Sequence, residues 1–492
     1  LHVRRLPPEV ADAAGGDLYT SGSYRLGVHE PGADIDAIVV SPTHCTREDF
    51  FDTLADRIAG RPEVANFSPV ATAAVPIMTF DMDGINIDLM FAQLSTSSVG
   101  NNLDIDDDGI LVGVDAATAK SLNAPRVTNL IARFVSGNAK RYDAFLLTVR
   151  CIRRWAKARG LYSNKMGYWG GVNIAIAVAF VLQLYPEASP AALLRKFFLV
   201  FKTWRWPNPV MLCRPHDVPE IGLPVWNGFV SSTGRHVAPI ITPAYPAMNS
   251  TLAVSRQTLQ ILHSEIVRGH QIVDAIYRQA PDPTGNCWEQ LFQPADFYSS
   301  YPHYISLCIV SPSTKTLQAW AGFVESRLRR LVSENLGRSL PLRKVQLWPK
   351  GIQEGCYADL AARLTQAQRK NAITYFVGFA IDRPRMRGER LDVERMLQQF
   401  GVNDLARFGQ QALEQGEQPT IGNDVIVRYH RRRTLPRDLF DKETGGKNAA
   451  MLRYRKRKRE DPAYKEKVRL KKLEQLKKRV EEMQRRKRER DG

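Results

Sequence analysis

Alternation of apolar and polar residues marks the first quarter of the chain as strand-rich. Ile35, Ala37 and Val39 alternate with Asp34, Asp36 and Ile38, and Gly84–Met90 alternates in the same way. A period of two is what a strand with two unlike faces requires. Residues 17–125 are therefore expected to hold short strands and turns, with many acidic groups. From about 127 to 280 the pattern becomes helical and aromatic-rich. Its longest apolar stretch, Val172–Leu184, contains Asn173 and falls short of the ~20 residues a membrane span needs, so it predicts a buried helix. Pro281-Asp-Pro-Thr-Gly285 is a breaker cluster and a candidate boundary. Beyond it, Tyr304–Val310 reads as a strand, and Leu317, Trp320, Val324, Leu328 and Leu331 share one helix face. Val345–Trp348 and Tyr375–Ile381 read as further strands. Strand, helix, strand, strand is a small α+β layer. After about Arg428 the sequence turns abruptly to charged, helix-prone text.

Composition adds limits. A chain of 492 residues suggests about three domains. The apolar fraction of 44% and charged fraction of 24% are those of an ordinary globular protein. Lys and Arg outnumber Asp and Glu by 69 to 51, a net charge of +18 that points to a polyanionic partner. A secreted disulfide scaffold, a collagen-like chain and an acidic disordered protein are excluded. The excess is concentrated: residues 428–492 hold 26 basic and 11 acidic residues, net +15, which leaves +3 for all the rest. Cys45, Cys151, Cys213, Cys287, Cys308 and Cys356 show no C-x-x-C spacing, so they read as buried or incidental thiols of a reducing compartment. The nine histidines form no H-E-x-x-H. The sequence starts at Leu1 without a signal-peptide pattern, and its natural N-terminus is expected to lie upstream.

The candidate chemistry lies near the start. Ser21-Gly-Ser-Tyr-Arg-Leu-Gly27 is followed by Gly32-Ala-Asp-Ile-Asp-Ala-Ile-Val-Val40, with ten residues between Ser23 and Asp34. On a strand, Asp34 and Asp36 project to one face, and paired carboxylates suit a hard divalent cation. Gly22 and Ser23 offer a turn with backbone N–H groups and a hydroxyl, suited to phosphate oxygens. Asp88, opposite in phase to Ile85, Ile87 and Leu89, is the natural third carboxylate if a neighbouring strand brings it to the first pair. Two metals at such a site would serve phosphoryl transfer. Gly-Ser alone or D-x-D alone would mean little; order and spacing together point to a metal-dependent nucleotidyltransferase. A second run, Leu103-Asp-Ile-Asp-Asp-Asp108, lacks the upstream Gly-Ser and reads as a solvated loop.

Gly22–His29 with Gly32–Asp36 closely resembles the eukaryotic nuclear poly(A) polymerase family. The likeness continues in Ser121–Asn123, Arg126–Thr128, Arg150–Asn164 with Trp155–Lys157 and Arg159–Asn164, Gly170–Val172, Gln183–Pro186, Ile241–Pro246 and Asn249–Thr251. Phe297, His303–Tyr304 and Val324–Ser326 extend it, so it covers most of 17–350 and fades beyond about 385. The resemblance implies an α+β multidomain chain. It would hold a polymerase-β-like nucleotidyltransferase domain (1–126), a helical central domain (127–285), an RRM-like, ferredoxin-like RNA-binding domain (286–420) and a basic tail (428–492). It implies a template-independent polynucleotide adenylyltransferase that uses Mg²⁺ or Mn²⁺ to add AMP from ATP to RNA 3′ ends. It further implies a nuclear monomer without membrane attachment, working beside 3′-end processing factors. By the same resemblance Asp34, Asp36 and Asp88 are the catalytic, metal-binding residues, and Gly22 and Ser23 touch the triphosphate. Tyr162 matches a phosphate contact, Asn164 a ribose contact, and Lys157 a contact near the adenine. Gly171 and Val172 match the segment packed on the nucleotide, and Met248 is a further adenine-side candidate.

Two departures stand out. Arg153 occupies the place of the family's triphosphate-contacting lysine, and Thr79 and Asp81 stand where the family usually shows lysines near the primer path. They motivate one competing reading, a non-catalytic RNA-binding scaffold, against which stand the three intact aspartates. Another is a related uridylyl- or CCA-adding transferase. The third domain does not spell the RNP1 pattern, and Tyr375-Phe-Val-Gly-Phe379 reads as a core strand. In the tail, Arg455–Arg459 and Arg485–Arg488 resemble nuclear localisation clusters or phosphate-binding patches. Leu473, Leu476, Val480 and Met483 follow an a/d spacing too short to claim a coiled coil.

Overall fold

The computed structural model describes residues 6–71, 75–228, 236–278, 286–353, 371–382 and 424–436, with isolated positions near 400, 440 and 452. Pro281–Gly285, Cys356 and both basic clusters of the tail, apart from Arg455, lie outside the described residues, as does its a/d stretch.

The first unit is a five-stranded sheet in the order β1-β2-β5-β4-β3. Its strands are β1 (Asp17–Thr20), β2 (Ile35–Ser41), β3 (Val64–Val70), β4 (Ile77–Met82) and β5 (Ile85–Gln93). Central β2 and β5 run parallel, and the other pairs are antiparallel. The alternation read from the sequence now has two partners. Ala37, Leu89, Phe91, Met78 and Phe80 pack with Phe50 and Ala55 from a helical segment over 47–59. Ile38, Val40, Met90 and Ala92 pack on the opposite face with Ala119 and Leu122. The expected core side of Asp88's strand is thus one of two, and Ile85, beside the β4–β5 turn, is exposed.

Ala119 and Leu122 belong to α1 (Ala116–Val135), which the Asp115 side chain caps by accepting from the Thr118 N–H. Its second half carries Val127, Ile131 and Val135 into the core of the helical unit. A single helix therefore runs through the boundary expected at 126–127, one end in each core. The Leu103–Asp108 loop also departs from expectation. Buried Arg126 donates to the carbonyls of Ile105 and Asp107 and pairs with Asp108, while Arg133 pairs with Asp106. The acidic run is docked on α1, because that helix presents the cations that neutralise it.

The helical unit packs α2 (Ala139–Ala158), α3 (Gly171–Leu184), α4 (Pro190–Thr203) and α5 (Arg256–Arg278). The apolar stretch at 172–184 is helical and largely buried, as expected. No helix among the described residues is long and apolar enough to cross a membrane. Trp155, Trp169, Phe197, Phe198 and Phe201 meet mostly edge to face at the centre, the geometry that aromatic quadrupoles favour. Arg159, just past α2, forms a two-pronged pair with Glu265 of α5 at 2.8 and 3.0 Å and also donates to the Gln293 carbonyl.

The third unit is a four-stranded antiparallel sheet in the order β7-β8-β6-β9, from β6 (His303–Val310), β7 (Leu342–Gln353), β8 (Ala372–Ile381) and β9 (Asp424–Arg431). Helix α6 (Thr314–Arg330) joins the first two strands. This is the ferredoxin-like strand order anticipated. Its last strand begins after 420 and takes in Arg428–Arg431, residues assigned above to the tail. Val425 and Val427 turn to one core and Ile426 to the other, an alternation hidden by the surrounding arginines. Both sheet faces are covered. Ile305, Leu307, Val345 and Val377 join the helical core, whereas Tyr304, Cys308 and Phe376 pack with Phe297 and Leu435. Tyr375, Phe376 and Phe379 are core residues, so this is no open stacking platform.

Glu265 is mostly buried, which works against its charge, yet its bonds to Arg159 and the Arg268 charge hold its carboxyl below the ordinary 4.5. A depressed carboxyl stabilises the fold above its unfolded value and loses that contribution as pH falls below about 4.5. Glu265→Ala should leave the Arg159 guanidinium buried and unpaired, lowering stability by about 3–5 kcal/mol at pH 7. Denaturant melts at pH 7 and pH 4 check this; the gap between wild type and variant should narrow at the lower pH.

Candidate active site

The strand register assembles the acidic centre. Asp36 of β2 lies directly opposite Asp88 of β5, and Thr79 of β4 lies opposite Asp88 on its other side. Ser21 continues the row, its N–H donating to the Asp36 carbonyl at 2.8 Å. A polar line thus crosses the same sheet face that becomes apolar at Ile38 and Met90, two residues further along each strand. Asp34 joins from just before β2, and one carboxylate oxygen from each of Asp34, Asp36 and Asp88 lies within 4.8 Å of the others.

Like charges this close raise one another's proton affinity. Burial, then the charges of Asp34 and Asp88, push the Asp36 carboxyl up to about 7, against the pull of Arg153. Burial and Asp34 raise Asp88 as well, opposed by Lys165. Among the described residues none of the three aspartates forms an ion pair with a Lys or Arg. Three carboxylates clustered in this way fit a hard divalent cation such as Mg²⁺ or Mn²⁺.

The Gly-Ser turn lies against this centre. Gly22 has φ +62°, and a Cβ there would come within 2.2 Å of Asp36 Oδ2. Only glycine tolerates both the left-handed backbone and the contact. Gly22 opens a one-turn helix, Gly22–Arg25, and its N–H donates to Thr128 Oγ1 of α1 at 3.2 Å. Ser23 is half-buried in the same turn.

Helix α2 grips the loop that follows. Arg150 donates to the Gly27 carbonyl at 2.5 Å, Arg153 to the Val28 carbonyl at 2.6 Å, and Lys157 pairs with Glu30 at 2.7 Å. Steps of three and four residues put these cations on one helix face. Hydrogen bonding from Lys157 holds the Glu30 carboxyl below the usual range. Arg153 is only 4% exposed, so its guanidinium supports the loop. Arg153 and Lys157 also flank the Tyr162 ring, 5.8 and 5.4 Å from its centroid.

The remaining expected residues line the neighbouring loop and helix. Tyr162 bridges to Trp169, and its hydroxyl lies so near Gly171 that a Cβ there would approach it to 3.1 Å. Asn173 caps α3 by accepting from the Gly170 N–H and donates to Ser250 Oγ at 2.7 Å. Asn164 reaches the Ser250 carbonyl at 3.4 Å, Val172 is exposed, and Met248 is half-buried, its N–H bonded to Thr242. The Gly22–Arg25 helix packs beside α3, so the two groups flank one another. Sequence reasoning gave Arg150 only as the start of the resembling stretch, without a role at the site, and missed Glu30. It also missed Lys165, which no local pattern distinguishes.

Comparison with known proteins agrees with this assembly. The family profile described as "Poly(A) polymerase nucleotidyltransferase domain" matches 2–135, "Poly(A) polymerase central domain" 144–294, and "Poly(A) polymerase predicted RNA binding domain" 296–372. The chain belongs to the poly(A) polymerase family. It is 38% identical over 442 residues to nuclear poly(A) polymerase 1 of Arabidopsis thaliana, covering 89% of this chain and 58% of that one. It is 35% identical over 447 residues to a poly(A) polymerase of Dictyostelium discoideum, covering 89% and 51%. The chain therefore spans little more than half the length of these curated relatives of the poly(A) polymerase family. The solved structure of Cid1 in complex with the UTP analogue UMPNPP overlaps 58% of this chain and 88% of its own, at 14% identity and a TM-score of 0.39.

The acidic centre has a pH signature. Asp36 keeps its proton in the fold up to about 7 but loses it near 3.8 when unfolded. Its contribution to stability therefore falls as pH rises from about 3.8 to about 7, then stays level. A bound cation must displace that proton below pH 7. Mg²⁺ should accordingly raise the Tm more at pH 8 than at pH 6, and Asp36→Asn should remove most of the difference. An equal Mg²⁺ response in Asp36→Asn would contradict the metal assignment.

Proposed function

We propose that this member of the poly(A) polymerase family is a template-independent adenylyltransferase of the nucleus, extending RNA 3′ ends with AMP from ATP. The observation that carries this reading is the alignment of Asp36 with Asp88 across paired strands, with Asp34 beside them and Gly22 against Asp36. Asp34, Asp36 and Asp88 hold Mg²⁺ or Mn²⁺, which supplies charge neutralisation and a more acidic attacking hydroxyl.

The chain's own residues do the positioning. Gly22 and Ser23 present the turn to the triphosphate, and the closeness of Gly22 to Asp36 sets the phosphate chain beside the carboxylates. Arg153 acts through Val28 and Tyr162: it fixes the loop and adds positive charge behind it. A lysine there would have fewer donors for holding both. Tyr162 and Asn164 meet the sugar and phosphates, Gly171 and Val172 the base, with Lys157 and Met248 at its edge. Holding two reactants in line in this way accounts for much of the acceleration in phosphoryl transfer. The RNA 3′ end approaches from the third domain, and 3′-end processing factors recruit the enzyme. The basic tail, net +15, serves nuclear import and salt-sensitive RNA retention.

The test is primer extension with the purified chain, an RNA primer, Mg²⁺ or Mn²⁺, and each of the four nucleoside triphosphates in turn. ATP should be the preferred donor, and Asp36→Ala or Asp88→Ala should cut extension by at least ~1,000-fold, the scale of losing a charge-stabilising group. Preferential UTP use would reassign the chain to uridylyl transfer; extension unaffected by Asp36→Ala would defeat the assignment altogether.

A further inference from the structure

The Gly22–Arg25 turn that closes on the acidic centre is held from behind by α1. Gly22 donates its N–H to Thr128 Oγ1 at 3.2 Å. Thr128 is 5% exposed, and its own hydroxyl donates to the Ala124 carbonyl, one helical turn earlier, at 2.8 Å. A hydroxyl has one hydrogen, so the bond to Ala124 leaves only lone pairs to face Gly22. Thr128 is therefore committed by its own helix to act as an acceptor. The next residue holds the other end of the turn. Asn129 Oδ1 accepts from Arg25 Nε at 2.6 Å, and its Nδ2 donates to the two carboxylate oxygens of Asp106 at 3.0 and 3.1 Å. Arg133 pairs with the same carboxylate. The Arg25 end is thus backed by a charged network, and the Gly22 N–H by one hydroxyl.

That hydroxyl matters because of what lies in front of Gly22. Asp36 Oδ2 is so near the Gly22 main chain that a Cβ there would meet it at 2.2 Å. The Ser21 N–H holds the Asp36 carbonyl at 2.8 Å, which fixes the Asp36 main chain and not its side chain. Among the described residues the Asp36 carboxylate accepts no hydrogen bond and forms no ion pair. Packing is what remains to orient it, and the Gly22 main chain is the wall on one side. The position of that wall is set by the bond to Thr128.

We propose that Thr128 is a positioning residue of the metal centre: through the Gly22 N–H it holds the main chain that sets Asp36 toward Asp34 and Asp88. The inference rests on the metal assignment made above, and Thr128 touches no ligand itself. A valine at 128 has the same shape but no acceptor, and it leaves the half-buried Gly22 amide without a partner. The turn then shifts toward another acceptor or water, and Gly22 no longer confines Asp36. The three carboxylates lose the common spacing that a divalent cation requires. A serine at 128 keeps the acceptor and so keeps the wall in place.

The experiment titrates Mn²⁺ into the nucleotide-free full chain and follows with KM and kcat in primer extension. Wild type is compared with Thr128→Val, Thr128→Ser, Gly22→Ala and the double variant Gly22→Ala/Thr128→Val. Thr128→Val should weaken Mn²⁺ binding about tenfold, the scale of one buried amide left unpaired. It should lower kcat while the KM for RNA stays unchanged. Thr128→Ser should bind Mn²⁺ like the wild type. Gly22→Ala already displaces the wall, so adding Thr128→Val to it should cost little more, the coupling expected of a residue that acts through its neighbour. Unchanged Mn²⁺ affinity in Thr128→Val would overturn the inference. So would a Thr128→Ser as weak as Thr128→Val, or losses that simply add in the double variant. A Thr128→Val that does not fold would overturn it too, since the hydroxyl would then serve the fold and not the site. A wild type that binds no Mn²⁺ defeats the metal assignment and the inference with it; one that binds Mn²⁺ but extends no primer defeats the proposed reaction alone.

Discussion

Mutual repulsion among three carboxylates is the constraint on which the rest of this structure depends. Asp34, Asp36 and Asp88 are brought within 4.8 Å of one another with no Lys or Arg bonded to them among the described residues. At such distances two charges repel by several kcal/mol if the surroundings are even partly shielded from water. The fold accepts that penalty through register. Parallel pairing of β2 and β5 fixes Asp36 opposite Asp88 along the whole ladder Ile35–Ser41, and a one-residue slip of β2 would turn Asp36 to the apolar face covered by Phe50. The apolar residues two and four positions on, Ile38 with Met90 and Val40 with Ala92, drive the pairing that the acids resist.

The surrounding charges follow a division of labour. Cations near the site mostly hold the protein to itself: α2 grips the 27–30 loop, and α1 grips the acidic run 105–108. Each such bond is made to a carbonyl or carboxylate that would otherwise add negative potential beside the aspartates. The centre is left without an ion-pair partner among the described residues, while Arg150 and Arg153, bonded to neutral carbonyls, keep their own positive charge. The body of the chain carries net +3 beside a tail of net +15. The acidic centre and the basic excess thus lie apart along the chain.

Much of this was legible in the sequence, for identifiable reasons. Period-two alternation located β2 and β5, and the Gly-Ser and D-x-D spacing located the acids, since both are local patterns. The helix face from Leu317 to Leu331 and the strands of the third domain were equally local. What escaped was set by tertiary partners. The domain boundary at 126 lies inside α1, since one amphipathic helix serves two cores whose existence its own residues cannot announce. The acidic run at 103–108 looked solvated because Arg126 and Arg133, its neutralising partners, are about a score of residues away. Strand β9 was masked by its arginines, though Val425 and Val427 face inward. Tyr375 and Phe376 were read correctly as core, and the covered sheet face explains the missing stacking pattern.

The loop from Arg159 to Trp169 ties these strands of argument together. At its start Arg159 joins Glu265 and the Gln293 carbonyl, and a Cβ on Gly160 would strike the Trp348 ring of β7. Near its end Tyr168 reaches Leu347 of the same strand. Between them lie Tyr162, whose ring Lys157 approaches, and Asn164, which reaches the Ser250 carbonyl. The segment that carries these two candidate residues is thus also the segment that joins the helical unit to the third domain through β7. A shift of β7 would move Tyr168, and with it the residues on either side, before any contact to Asp34, Asp36 or Asp88 changed. Domain arrangement and site geometry are in this sense one variable, because a braced loop of eleven residues transmits displacement where a slack one would absorb it.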